Sequence, residues 1–162
     1  MIKLLRTAAF LLCTGFTAPV MAQDLDKGLA AYGAGDYATA LQEWRPLAVL
    51  GDASAQVNLG FMYANGRGVL QDDAEAVRWY RMAAEQGNTT AQYNLGLMYA
   101  SGRGVLQDDV LAHMWWNIGG ANGDAGGSEN RGKIEQRMTR EQIADAQARA
   151  RRCMSSNYQD CD

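Results

Sequence analysis

Apolar side chains recur with helical spacing in two closely matching stretches of the chain. In the first stretch Ala55, Leu59 and Met62 fall at positions i, i+4 and i+7, which places them on one face of a helix. The same pattern returns in residues 91–99. A Gly-Arg-Gly turn follows each stretch, and glycine takes up cheaply the left-handed backbone conformation that ends helices. The pattern therefore predicts two equivalent helices, each closed by a glycine turn.

These helices belong to a longer internal repeat. Residues 55–80 align without a gap to residues 91–116 at an offset of 36, and 18 of the 26 positions are identical, including the string GRGVLQDD. A fainter upstream copy matches the repeat at Asp36, Ala40, Arg45, Ala48 and Gly51. A period of about 20 to 50 residues indicates a solenoid, in which each helix pair buries its apolar face against its neighbours.

The second helix of each repeat has a clear start signal. Asp72 and Asp108 are placed as N-caps, and Glu75 lies three residues after Asp72, where it predicts a capping box. Gly60 and Gly96 lie inside the first helices, where glycine costs about 1 kcal/mol relative to alanine. We therefore expect a close helix crossing at both glycines.

The flanking segments extend the helical pattern. Upstream, residues 25–32 and 37–50 form a further helix pair around a glycine turn. Downstream, Gly123–Ser128 is predicted to be a hinge, and Thr139 with Gln142 forms the capping box of a terminal helix. The sequence thus predicts an all-α solenoid of stacked helix pairs closed by a capping helix. Its predicted units are a signal peptide (1–22), a degenerate repeat (23–52), two full repeats (53–88 and 89–124), and capping helices with a tail (125–162).

The first residues have the pattern of a secretory signal. Lys3 and Arg6 precede a short apolar stretch, and Ala22 supplies the small residue before an expected cut at Gln23. The stretch is too short to cross a bilayer, which argues against the alternative of a membrane anchor. We expect the mature protein to be periplasmic or secreted in a Gram-negative bacterium, without stable membrane insertion.

Charge is distributed unevenly along the chain. Loss of the two signal-peptide cations changes the formal net charge from −3 to −5, which opposes binding to nucleic acid. Residues 131–152 hold seven basic and three acidic side chains, whereas residues 23–130 hold six and thirteen. The basic segment is either a contact for an anionic envelope polymer or a solvated capping helix.

The residues with reactive side chains favour structural roles. Cys153 and Cys161 are an even pair in a chain with an export signal, which predicts a disulfide. His113 is the single histidine, so no metal site and no cofactor are expected. After the signal, the only lysines are Lys27 and Lys133, and no Ser-x-x-Lys motif is present. The pairs Asp72/Asp73 and Asp108/Asp109 lie where helix caps are needed, which favours capping over acid–base catalysis for these carboxylates. We therefore do not expect an enzyme.

The repeats resemble a known family. The strings AQVNLGFMYANGRGVLQDDAEAVRWYRMAAEQGN and TAQYNLGLMYASGRGVLQDD are similar to Sel-one-like repeats, relatives of the tetratricopeptide repeat, and the resemblance covers roughly residues 36–152. It implies a right-handed superhelix and a non-catalytic role in protein–protein interaction, often in the bacterial envelope. A cysteine-rich branch is described as β-lactam-binding or β-lactamase-like. Its members carry a cysteine pair in every repeat, whereas residues 24–152 contain no cysteine. A β-lactam- or peptidoglycan-binding enzyme is the alternative.

The same resemblance implies that the first helices line a concave surface. An exposed stripe of amides, with one apolar residue per repeat, fits an extended peptide from a protein partner. The alternative is that Phe61 and Leu97 are partly buried against neighbouring helices. The candidate binding residues are Asn58, Phe61, Asn65, Tyr93, Asn94, Leu97 and Ser101.

Overall fold

A computed structural model describes residues 24–161, and all regular structure in this part of the chain is helical. The predicted signal peptide lies outside the described residues. No helix within residues 24–161 has the length and apolar character needed to span a bilayer. The elements are α1 (Leu25–Gly33), α2 (Tyr37–Val49), α3 (Ala53–Asn65), α4 (Asp73–Ala84), α5 (Thr89–Ser101), α6 (Asp109–Ala121), α7 (Ala125–Ile134), a 3-10 turn (Glu135–Arg137) and α8 (Arg140–Ser155).

From α1 to α7, each helix packs against the next along the chain, so that α1/α2, α3/α4 and α5/α6 form stacked pairs. The helix α7 packs on α6, and α8 also packs on α6 rather than on α7. One buried cluster joins the pairs α1/α2 and α3/α4, and a second continues from α4 to the disulfide at the C-terminal end. The prediction of an all-α solenoid is confirmed.

Side-chain caps explain where the helices begin. Asp72 accepts a hydrogen bond from the backbone N–H of Glu75 at 3.0 Å, and Asp108 caps α6 in the same way. The capping box predicted for α4 is wrong. Glu75 pairs instead with Arg78 at 2.5 Å, because the N–H of Asp72 already donates to the carbonyl of Tyr63. The box at the start of α8 is present in full.

The glycines inside the first helices mark close crossings, as expected. A Cβ atom at Gly60 would lie 2.7 Å from the ring of Tyr80, and one at Gly96 would lie 2.5 Å from Trp116 Nε1. Gly28 meets the ring of Trp44 in the same way. An aromatic side chain of the second helix therefore lies directly on the glycine of the first helix in each pair.

The predicted glycine hinge after the second repeat is wrong. Asp124 caps α7 by accepting from the N–H of Gly127, so the helix begins inside the segment expected to be a hinge. Glycine instead allows α7 to approach α6 closely here, because a Cβ at Gly127 would lie 3.0 Å from the carbonyl oxygen of Trp116. Asp124 follows Asn88 by the repeat offset of 36, and Asn88 caps α5. The helix α7 is therefore the first helix of a further repeat.

The C-terminal end is closed by α8 and the tail behind it. Cys153 and Cys161 form a disulfide with their Cα atoms 4.4 Å apart, and both sulfurs belong to the buried core. The returning tail brings the hydroxyl of Tyr158 within 2.9 Å of the Asn122 amide nitrogen, which donates to it. The disulfide thus holds the tail against the turn that follows α6.

Candidate functional site

The first helix of every repeat presents one exposed side chain at an equivalent position. This position follows the repeat glycine directly, and it is occupied by Leu29, Phe61, Leu97 and Lys133. The three apolar side chains are 48%, 46% and 37% exposed, a large fraction for leucine and phenylalanine. They form an apolar row that runs across α1, α3 and α5.

Three depressions follow one another along this row. The first, which we call the apolar pocket, has a volume of about 340 Å³, lies along α1 and α3, and extends to Thr90 and Asn94 on α5. The ring of Tyr32 lies 6.3 Å from that of Phe61 and 5.7 Å from that of Trp44, so aromatic surface forms much of its wall. Its main lining residues are Leu29, Tyr32, Trp44, Val57, Asn58 and Phe61.

The other two depressions continue the groove toward the C-terminal end. The middle pocket, about 150 Å³, is lined by Phe61, Asn65, Asn94, Leu97, Ser101 and Arg103, among others. The basic pocket, about 320 Å³, lies between α5 and α7 and is lined mainly by Leu97, Ser101, Asn130, Lys133, Ile134 and Arg137. We call the three depressions together the concave groove.

Six of the seven candidate binding residues line the concave groove, and Tyr93 does not. The ring of Tyr93 faces Gly126 of α7, and its backbone carbonyl accepts a hydrogen bond from Trp116 Nε1 at 3.1 Å. Tyr93 therefore supports the crossing between α5 and its neighbours. Phe61 and Leu97 fit both the binding and the packing interpretation, because each is partly packed against neighbouring helices and partly exposed to the groove.

The asparagine side chains in the apolar and middle pockets do not hold helices together. Asn94 donates to the carbonyl of Thr90 at 2.8 Å, and Asn65 donates to that of Phe61 at 2.8 Å, both within their own helices. Among residues 24–161, the side chain of Asn58 has no hydrogen-bond partner. Amide oxygens that no helix contact requires are suited to accept hydrogen bonds from an extended backbone.

An arginine–aspartate ion pair joins consecutive repeats, and the sequence analysis did not predict it. We call this contact the clamp. Arg103 holds both carboxylate oxygens of Asp73, at 3.2 and 2.7 Å, and also donates to the carbonyl of Ala64 at 2.9 Å. Hydrogen bonding to Asp73 raises the pKa of Arg103 above its ordinary value. Arg137 repeats the arrangement with Asp109 at 2.8 and 2.6 Å. Two-point contacts of this kind fix orientation as well as distance.

The clamp corrects the interpretation of the aspartate pairs. Only the first member of each pair, Asp72 or Asp108, caps a helix, whereas Asp73 and Asp109 bind arginines of the following repeat. The signal was present in the sequence, because an arginine and a second aspartate recur in both copies of GRGVLQDD.

Replacing Arg103 with methionine is expected to lower the free energy of unfolding by about 1 kcal/mol, because a half-exposed, two-point ion pair and a bond to a backbone carbonyl are lost. Arg67 is the matched control, since it occupies the same repeat position but donates to the neutral Tyr37 hydroxyl at 2.6 Å. Arg67→Met should cost less, and added salt should reduce the difference between the two variants. Chemical denaturation at low and high ionic strength measures both, and equal losses would contradict the clamp.

The remaining candidate residues have structural surroundings. His113 is fully buried in α6, with its Nε2 atom 2.8 Å from Glu135 Oε1. Among the described residues, no three potential metal ligands come together. The basic segment does not form one patch, because Arg149 and Arg152 pair with carboxylates on or near α8 while Lys133 and Arg137 line the groove.

Comparison with known proteins agrees with this architecture. Residues 53–88 and 89–124 each match the family model described as Sel1 repeat. Among curated proteins, none matches the chain significantly.

Two solved structures are similar to the described fold. One is a protective antigen present in uropathogenic Escherichia coli strains, which displays an SLR fold, with 30% identity over 83% of this chain and a TM-score of 0.79. The other is a Sel1 repeat protein from Oxalobacter formigenes, with 31% identity over 68% of this chain and a TM-score of 0.66. The match spans only 30% and 46% of the length of those two chains.

Proposed function

This protein is a Sel1 repeat protein, and we propose from this premise that it is a non-catalytic scaffold whose concave groove binds an extended segment of a protein partner. The Sel1 fold typically serves protein–protein interaction. The observation that carries the proposal is the exposed row formed by Leu29, Phe61 and Leu97, with three adjoining depressions beside it. Apolar side chains one helix layer apart, about 10 Å, suit side chains about three residues apart in an extended peptide.

We place this interaction in the bacterial envelope. The proposal rests on the signal pattern before Gln23 and on the cysteine pair, since a disulfide persists in an oxidising compartment such as the periplasm. A non-catalytic role has a simple test, because hydrolysis of a chromogenic cephalosporin by the purified protein would contradict it.

The double variant Asn58→Ala, Asn94→Ala tests the groove. Peptides selected by the native protein from a displayed random library should bind this variant about tenfold more weakly, because two amides that meet the peptide backbone are lost. The melting temperature should change by no more than about 3 °C, since neither amide joins two helices. Isothermal titration and thermal denaturation measure the two quantities.

The matched control is Gln71→Ala with Gln107→Ala, which removes one exposed amide per repeat from the GRGVLQDD loops. This control should bind the selected peptides like the native protein. If binding survives the Asn58 and Asn94 substitutions while the fold melts early, those amides are structural and the proposal is wrong.

A further inference from the structure

The chemistry of the concave groove changes at its C-terminal end. The position that carries Leu29, Phe61 and Leu97 in the first three repeats carries Lys133 in α7. Four residues later a second cation replaces an uncharged residue, since Arg137 occupies the position held by Ser101 in the preceding repeat. The groove therefore begins as an apolar surface and ends as a cationic one.

Both cations face the groove, while their carboxylate partners do not line it. Lys133 and Arg137 line the basic pocket together with Asn130, and the walls of this pocket include neither Glu129 nor Asp109. Lys133 pairs with Glu129 at 2.5 Å on the same helix, with both side chains about two-thirds exposed. An exposed pair of this kind is weak, so Lys133 can exchange Glu129 for a carboxylate that enters the pocket.

The clamp leaves Arg137 in a fixed position. Its guanidinium is held by Asp109 and contributes positive potential to the pocket without needing to move. The basic pocket therefore contains one exposed, weakly paired cation, one clamped cation and the amide of Asn130, which together suit a carboxylate.

We propose that the concave groove binds an extended partner segment that places a large apolar side chain in the apolar pocket and an aspartate or glutamate side chain in the basic pocket. This inference rests on the proposed function. The apolar pocket extends to Asn94 on α5, and the basic pocket lies between α5 and α7, so the two pockets are about one to two helix layers apart, or about 10 to 20 Å. An extended chain spans this distance in about three to six residues. We assign a side-chain carboxylate because the basic pocket is an open depression and not an enclosed cavity, so a bound segment can continue past it.

The test is selection from a displayed library of random twelve-residue peptides by the full chain, followed by titration of the enriched sequences. We expect Asp or Glu to be enriched about three to six residues from a large apolar residue. Lys133→Gln should weaken binding of these peptides about fivefold at low salt and less at high salt. Glu129→Gln should strengthen it, because it releases Lys133 from its competing carboxylate.

Arg140→Gln is the control for net charge, since Arg140 is exposed on α8 and does not line the groove. It should leave binding unchanged. Equal losses for Lys133→Gln and Arg140→Gln, or no enrichment of acidic residues, would overturn this inference. So would binding that depends on a free C-terminal carboxylate.

The failure of the inference can be told apart from the failure of the proposed function. Peptides that still require Phe61 and Leu97 but show no acidic preference would overturn only the role of the basic pocket. Peptides whose binding ignores Phe61, Leu97 and Lys133 alike would overturn both.

Discussion

Replacing Gly96 with alanine is expected to lower the free energy of unfolding by about 2 kcal/mol or more. The added Cβ would lie 2.5 Å from Trp116 Nε1, well inside contact distance. The Trp116 ring cannot easily move away, because it is 4% exposed and its Nε1 donates to the carbonyl of Tyr93 at 3.1 Å. Overpacking of this kind costs about 1 to 3 kcal/mol, and loss of the indole hydrogen bond adds to it.

Gly132→Ala is the matched control for this substitution. Gly132 occupies the same repeat position in α7, yet a Cβ there would meet no atom within 4 Å. Alanine should therefore stabilise the protein by up to about 1 kcal/mol through helix propensity. Urea denaturation measures both variants. Stabilisation by Gly96→Ala, or equal effects of the two substitutions, would show that the first helices do not cross their partners as closely as described.

The double variant Phe61→Asp, Leu97→Asp is expected to weaken peptide binding at least a hundredfold while the protein stays folded. These two side chains adjoin all three pockets, so a bound segment would desolvate them and the aspartates would be left charged beneath it. Both positions are exposed enough, at 46% and 37%, for a carboxylate to reach solvent in the free protein. Titration with library-selected peptides measures the loss, and circular dichroism reports on the fold.

The matched control for this variant is Leu70→Asp with Leu106→Asp. These leucines are 90% and 91% exposed in the two GRGVLQDD loops, so the control makes the same change of residue type and charge, again once per repeat. It should leave peptide affinity within about twofold of the native value, since single exposed leucines away from a binding site carry little energy. Weaker binding by the control than by the groove variant would place the interaction on the loop edge instead.

The repeated helices could be predicted from the sequence because several local signals agree in them. The apolar period, the aspartate caps and the terminal glycines all point to the same boundaries in residues 55–80 and 91–116. The start of α7 could not be predicted in the same way. A run of glycines suits both a hinge and a close helix crossing, and only the packing of Gly127 on Trp116 distinguishes the two.

The concave face could also be predicted in part. Phe61 and Leu97 share a helix face with asparagines, and that relation depends only on positions within one helix. The clamp of Arg103 on Asp73 depends on two repeats packing together, so nothing within one helix indicates it. The basic pocket was missed for a related reason, because it requires α7 to be the first helix of a further repeat.

Binding of a partner segment in the concave groove can be tested in the cell. The most direct measurement places a photo-crosslinking amino acid at position 61 or 97, and at position 70 or 106 for comparison, in the protein expressed with its signal in a Gram-negative host. After illumination, we expect a polypeptide to be crosslinked from positions 61 and 97, and we expect mass spectrometry to find an acidic residue in the attached segment. Crosslinks from the loop positions alone, or from none of the four positions, would contradict binding in the concave groove.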